Sequence, residues 1–576
     1  MICYRELVLL RKKATRLAAS FVLSVVCLVP AAAMAAEAKS AAKAASSDYG
    51  IAQVRRINDE IREQWTAFGL TPSKPADDGK WCRRVYLDIL GRIPAVDELT
   101  AFVADKSPDK KVKLVEKLLL DDRYTDDYSR NWTTIWTNVL IGRGAGNDEE
   151  SLVSRDGMQK YLRDGFARNK PYDRMVYELI TATGTNAPGT ENFNGAVNFL
   201  ATKVNDEKGS LATAATARIF LGQQIQCTQC HNHPFNEWKQ QKFWEFNAFF
   251  RQTRMLRRFV PGTRDIASAE LVDEDFEGEF GNPEDAVIFY ELRNGLTKAA
   301  YPTFVDGQAI KSNSGLLQDV KRREELGRFV VTSTDLGRAI VNRMWAHFLG
   351  YGFTKPIDDL GPHNPPSHPG LLEYLAEEFR KTSHDLKQLV RWIALSEAYS
   401  LSSELNANNT GDDPQLGETP KFSHFYLRQM RAEELYESLL VATQAHKTAG
   451  SYDQQEAAKA EWLKQFVVAF GTDEGDEATT FDGSIPQALM MFNGDMIKLA
   501  TSSEPGSFLR TLADDPRGQP RDKIHQLFLA GMARKGNEQE MAVASKLYVA
   551  RKNDMLAALQ DIWWAVLNSN EFILNH

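Results

Sequence analysis

Cysteine is scarce in this chain: five among 576 residues, accompanied by only ten histidines. Such a count excludes a disulfide scaffold. Beyond residue 36 no apolar run is long enough to span a membrane. A serine nucleophile elbow, a phosphate-binding Walker loop, a dinucleotide fingerprint and an H-E-x-x-H pair are also missing, which removes the commonest hydrolase, nucleotide and zinc-protease chemistries. Cationic excess is lacking too, with 69 Lys and Arg against 77 Asp and Glu, a net charge of −8. The absence of a basic stripe argues against a nucleic-acid partner. Short basic clusters such as Arg254-Met255-Leu256-Arg257-Arg258 read as solvated faces.

What is present begins with an unusual N-terminus. Arg5, Arg11, Lys12, Lys13 and Arg16 precede an apolar run from Leu17 to Val29, and Ala33-Met34-Ala35 follows as an A-x-A cleavage site. Residues 1–36 therefore read as a secretory signal peptide, and 37–50 as a flexible leader. The expected location is exported, periplasmic or extracellular, with no membrane span after cleavage. Removing residues 1–35 takes away five basic and one acidic side chain, leaving 64 against 76, a balance of −12. The overall 43% apolar and 25% charged content is that of an ordinary globular chain, and the length asks for more than one core.

Periodicity makes the fold class mainly α, with two helical domains joined by a short β-containing segment. Over residues 51–258 apolar side chains recur at helical spacing, as in Val54, Ile57, Ile61 and Trp65. Residues 183–210, rich in Gly, Asn and Thr, look irregular. Helices are expected over 212–226 and 238–250. Residues 259–312 form an acidic linker whose strands are expected at 286–291 and 302–307, around a turn at Asn294-Gly295. Helical periodicity returns over 313–576. There a helix is expected over 335–349, capped by Thr334 and closed by Gly350, and another over 371–379.

The chemistry concentrates in Gln226-Cys227-Thr228-Gln229-Cys230-His231-Asn232-His233-Pro234, which contains Cys-x-x-Cys-His. That pattern attaches c-type haem through two thioethers and one imidazole, with His231 as the proximal iron ligand. His233 is too close in sequence to reach the opposite face of the same iron, and Met255, Met344 and His347 are candidates for that position. The alternatives are zinc or another metal, held by Cys227, Cys230, His231 and His233, or no cofactor and a disulfide. In an oxidising compartment the two cysteines stay reduced only if haem or metal claims them. The third cysteine outside the leader, Cys82 beside Trp81, reads as a buried thiol. A second concentration of polar groups, Asn342, Arg343, His347, His363 and His368, reads either as a polar site or as a loop anchored to a helix.

Several stretches together resemble a known family. They are RVYLDILGRIP from Arg84, the region from Ala217 to Phe250 around CTQCHNHPF, AIVNRMWAHFLGYGF from Ala339, NPPSHPGLLEYLAEEF from Asn364, LSEAYSLSS from Leu395, RQMRAEELYESLL from Arg428, PQALMMFNGD from Pro486 and the terminal NSNEFILNH. The chain resembles secreted proteins of planctomycetes and related bacteria, in which a planctomycete cytochrome-like domain precedes a planctomycete-specific domain, both of unknown function. The resemblance implies a cytochrome-like segment over 51–258, carrying the motif as Cys227, Cys230 and His231, and the planctomycete-specific segment over 313–576. Two functions are expected to compete. One is haem c or metal binding in periplasmic electron transfer with a redox partner. The other is a non-redox protein that binds an extracellular polymer or assists an enzyme, in which the cluster is structural.

Overall fold

In a computed structural model, residues 48–146, 151–448, 451–470, 490–491 and 494–576 are described. The expected signal peptide and most of the leader lie outside them. The fold is mainly α. Strands are few: β1 (Gly184–Thr185), β2 (Thr253–Phe259), β3 (Ile266–Asp273), β4 (Ile288–Glu291), β5 (Thr297–Ala300), β6 (Arg428–Gln429) and β7 (Leu574–Asn575). They make an antiparallel three-stranded sheet in the order β1-β3-β2 and two hairpin-sized pairs, β4-β5 and β6-β7.

Residues 51–576 form one compact unit, and the two halves distinguished by periodicity share a core. Its centre is the helix Asp78–Leu90, capped by Asp77, whose side chain accepts from Lys80 N, and ended by Gly91 in the left-handed region. Eleven of its thirteen residues are buried, including Arg83, Arg84 and Asp88. A helix buried all round is an interior helix, and its charges persist only if partnered. Arg83 donates to the carbonyls of Phe572 (2.6 Å) and Leu574 (3.0 Å), and Arg84 donates to that of Tyr399. Asp88 pairs with Arg428, accepts from Tyr399 Oη (2.6 Å) and accepts from Asn575 Nδ2 (2.8 Å). Leu87 and Ile93 pack into an apolar cluster built from residues between Met430 and Phe572. The last residues of the chain therefore lock the first long motif.

Several expected elements shift for local reasons. The helix expected over 212–226 is Ser210–Leu221, because Gly222 turns to φ 65° and a Cβ there would lie 2.8 Å from Leu360 Cδ1. The next helix is Gln240–Asn247 followed by a 3-10 turn, Ala248–Phe250, while Trp238 stays in the loop with its N–H on Asn236 Oδ1. The helical reading up to 258 gives way to β2 at Thr253. The strand expected over 286–291 is β4, but its partner is β5 at 297–300 rather than 302–307. Pro302 has no N–H for a ladder, and Thr303 forms only an isolated bridge with Ala309. Helix Thr334–Leu349 is capped by Ser333 instead of Thr334 and still ends at Gly350, and Pro369–Lys381 starts two residues early with proline in its first turn.

Candidate functional site

The Cys/His segment is a separate turn rather than the end of a helix. After Gly222 the chain makes a 3-10 turn, Gln226–Gln229, followed by Cys230 as its C-cap. Thr228 faces inward with its hydroxyl on Ile225 O (2.6 Å), while Cys227 and Cys230 are both exposed free thiols. The turn is clamped from the following helix. Gln240 Nε2 and Trp244 Nε1 each donate to Gln229 O at 3.1 Å, and Gln240 N donates to Asn232 Oδ1 at 3.0 Å.

The two motif histidines are used differently. His231 Nδ1 lies 2.7 Å from Asn232 O, a carbonyl that can only accept, so the ring carries its proton at Nδ1 and keeps the Nε2 lone pair. That is the tautomer of a histidine that ligates through Nε2. His233 Nδ1 instead accepts from the backbone N–H groups of Phe235 (3.2 Å) and Asn236 (3.1 Å). Its proton is then on Nε2, which makes it a donor and a lock on the turn rather than an open ligand. Partial desolvation and the neighbouring His363 lower the pKa of His233.

The C-terminal half closes over this turn. Leu360 N donates to Gly222 O at 2.6 Å, Asp358 accepts from Gln224 Nε2 (2.7 Å) and from Arg218 (3.2 Å), and Gln223 Nε2 donates to Asp335 (2.9 Å). The ring of His363 sits 5.6 Å from that of His233, centroid to centroid, and its Nε2 donates to Asp359 Oδ1 at 3.0 Å. Partial desolvation raises the Cys227 thiol pKa, and the negative charge of Asp359 adds to the rise. Asp358, Arg218, Gln223 and Gln224 carry no signal in the sequence, Asp335 marks only a helix start, and Asp359 has only its spacing of four from His363.

The remaining polar residues go to other places. Asn342 is buried and folds the following loop back, donating to Thr354 Oγ1 and Ile357 O at 2.8 Å and accepting from Phe353 N at 2.6 Å. Arg343 lies on the same helix, half-buried, its charge acting on the Tyr172 hydroxyl. His347 packs against Trp132 (5.0 Å) and donates from Nε2 to Asp88 O (2.9 Å). Burial, with Arg431 and Arg428 nearby, keeps it neutral. His368 is 1% exposed among Phe353 and Phe422, with a pKa lowered to about 4 by burial. Met255 is buried on β2, where its backbone bonds the Asn205 side chain, and Met344 is a core residue of the 334–349 helix. Of the second polar group, His363 is the one that meets the Cys/His turn.

The residues on the turn fit a covalently attached haem. Two exposed thiols lie on one short turn, and the adjacent imidazole has its Nε2 lone pair free. Among the described residues no three His, Cys, Asp or Glu side chains are arranged to hold a bare metal ion. No helix among them is long and apolar enough to cross a membrane. Two family models match the chain in order. The first is PSCyt2, a protein of unknown function (DUF1549), over residues 56–255, and the second is PSD1, a protein of unknown function (DUF1553), over residues 322–476. No curated protein and no solved structure matches. The Cys/His turn belongs to the first matched segment, while Asp335, Asp358, Asp359 and His363 belong to the second.

Proposed function

From the premise that the chain belongs to the two-domain family in which a PSCyt2 segment precedes a PSD1 segment, both of unknown function, we propose an exported protein that binds haem c and serves electron transfer outside the cytoplasm. Cys227 and Cys230 would carry the thioether links and His231 Nε2 would be the proximal ligand. The observation that carries the reading is the His231 Nδ1 contact with Asn232 O, because it fixes the ligating tautomer beside two exposed thiols. Bound there, the group would supply a reversible one-electron couple. The protein's own part is to hold the turn through Gln240 and Trp244 and to keep His231 in one tautomer.

Expression of the full chain with a haem-maturation system, followed by a pyridine haemochrome spectrum, tests this. One covalent haem per chain is expected, lost on Cys227→Ser or Cys230→Ser. A wild-type chain without haem would sink the reading. The competing reading, a non-redox polymer-binding or accessory protein with a structural disulfide or zinc at the turn, is favoured by the dense clamp around Gln229 and Asp358. It expects the same two variants to lower thermal stability and leave no spectral signature to lose.

A further inference from the structure

Resting on the haem reading, we propose that Asp359 and His363, supplied by the second family segment, are positioning residues of the Cys227–Cys230–His231 centre. His363 supports the turn through His233, and Asp359 lowers the centre's reduction potential by placing a carboxylate beside it.

The geometry is specific. His363 is the histidine outside the motif whose ring meets the motif, 5.6 Å from His233, and His233 in turn holds the Phe235 and Asn236 amides of the same loop. Asp359 fixes the His363 ring by accepting from Nε2 at 3.0 Å. Gly361 makes room for that ring, since a Cβ there would lie 2.8 Å from both His363 Nδ1 and Cε1. The carboxylate is fixed in turn by its own backbone. Asn364 Nδ2 donates to Asp359 O at 2.8 Å, and the neighbouring Leu360 N is bonded to Gly222 O, at the base of the Cys/His loop. A side chain so placed, with Asp359 18% and His363 14% exposed, is weakly screened by salt.

A fixed negative charge stabilises the more positive, oxidised state of a nearby metal, which lowers the reduction potential. The couple is iron(III)/iron(II). One electron comes from a dye-mediated chemical reductant, and no protein bond is made or broken. The structure thus ties the redox poise of the first family segment to a side chain of the second.

Spectroelectrochemical titration of the full, haem-loaded chain tests the proposal. Asp359→Asn should move the oxidised-to-reduced ratio at a fixed applied potential by about tenfold toward the reduced form, equivalent to about 59 mV upward for one electron. Asp359→Glu, which keeps the charge, should stay within about twofold of wild type. Full haem attachment with Asp359→Asn also within twofold would overturn the electrostatic role. A wild-type chain that takes no haem defeats the haem reading itself, and this proposal with it. Should Asp359→Asn not fold, His363→Ala carries the test on its own. Hydrogen exchange at the Phe235 and Asn236 amides should quicken at least about tenfold, and unchanged exchange would overturn the supporting role.

Discussion

Two polar regions of the molecule, around Asp88 and around Cys230, are built on opposite plans. Around Asp88 every charge is interior: Arg83, Arg84 and Asp88 are almost fully buried, and their partners are backbone carbonyls, Arg428, Tyr399 and Asn575. Around Cys230 the thiols are exposed, and His231 keeps a lone pair that the loop does not use. A densely bonded interior network fixes one arrangement of the chain, and removing a member costs a large desolvation penalty. An exposed group with unused bonding capacity contributes little to stability and can meet a ligand. The contrast teaches that abundance of polar residues does not mark a site; unspent donors and acceptors at an accessible place do.

The sharpest way to break the comparison is to attack the interior network. Arg428→Met leaves Asp88 without its cation and should cost about 3–5 kcal/mol in urea unfolding, while the proposed haem attachment at the turn should persist in whatever fraction folds. A loss under 1 kcal/mol would mean that the two regions differ less than their burial suggests. The pH dependence follows next in size. Burial holds the Asp88 carboxyl up to about 6, above the usual carboxylate range, against the pull of Arg428 and the Tyr399 hydroxyl. Between about pH 4 and 6 the native state keeps a proton that the unfolded chain has already released. This group therefore favours the fold at the acid end of that window, and its contribution is lost as pH rises through it. Unfolding free energies measured across the window should show this slope in wild type and lose it in Asp88→Asn.

The same comparison explains what could be read in advance. The 334–349 helix was legible because periodicity, a nearby cap and Gly350 agree, and the β4 strand because Asn294-Gly295 marks its turn. Cys227, Cys230 and His231 were legible because their chemistry depends on local spacing. Asp359 and the clamp through Asp358 were not, because they meet the motif only after the chain has folded back, and a lone carboxylate has no local signature. His347 and His368 looked like site residues for the converse reason. Histidine in a polar stretch is ambiguous until burial is known, and these two are spent on Asp88 O and on an aromatic cluster.

Gly222 sits where the first segment's helix ends and the second segment's Leu360 docks, so its replacement probes the seam under the turn. At φ 65°, with a Cβ meeting Leu360 Cδ1 at 2.8 Å, Gly222→Ala is strained in both backbone and packing and should cost about 1–2 kcal/mol. Adding Leu360→Ala relieves only the packing part. A double variant less stable than the sum of the two singles would show that the steric account is wrong.

The smallest expected effect separates stability from function most cleanly. Phe235 is 81% exposed, directly beyond His233 and Pro234, an unusual place for a large apolar side chain. Exposed single substitutions ordinarily change stability by less than about 0.5 kcal/mol, and Phe235→Ser should melt like wild type in the haem-free chain. If the haem covers this ring, the loaded protein behaves differently, because apolar surface removed from water contributes about 25 cal/mol per Å². Phe235→Ser should then lower the melting temperature of the loaded chain while leaving the haem-free chain unchanged. Equal behaviour in both states would place the haem elsewhere on the turn. A drop in both would make Phe235 part of the turn's own packing, against its exposure.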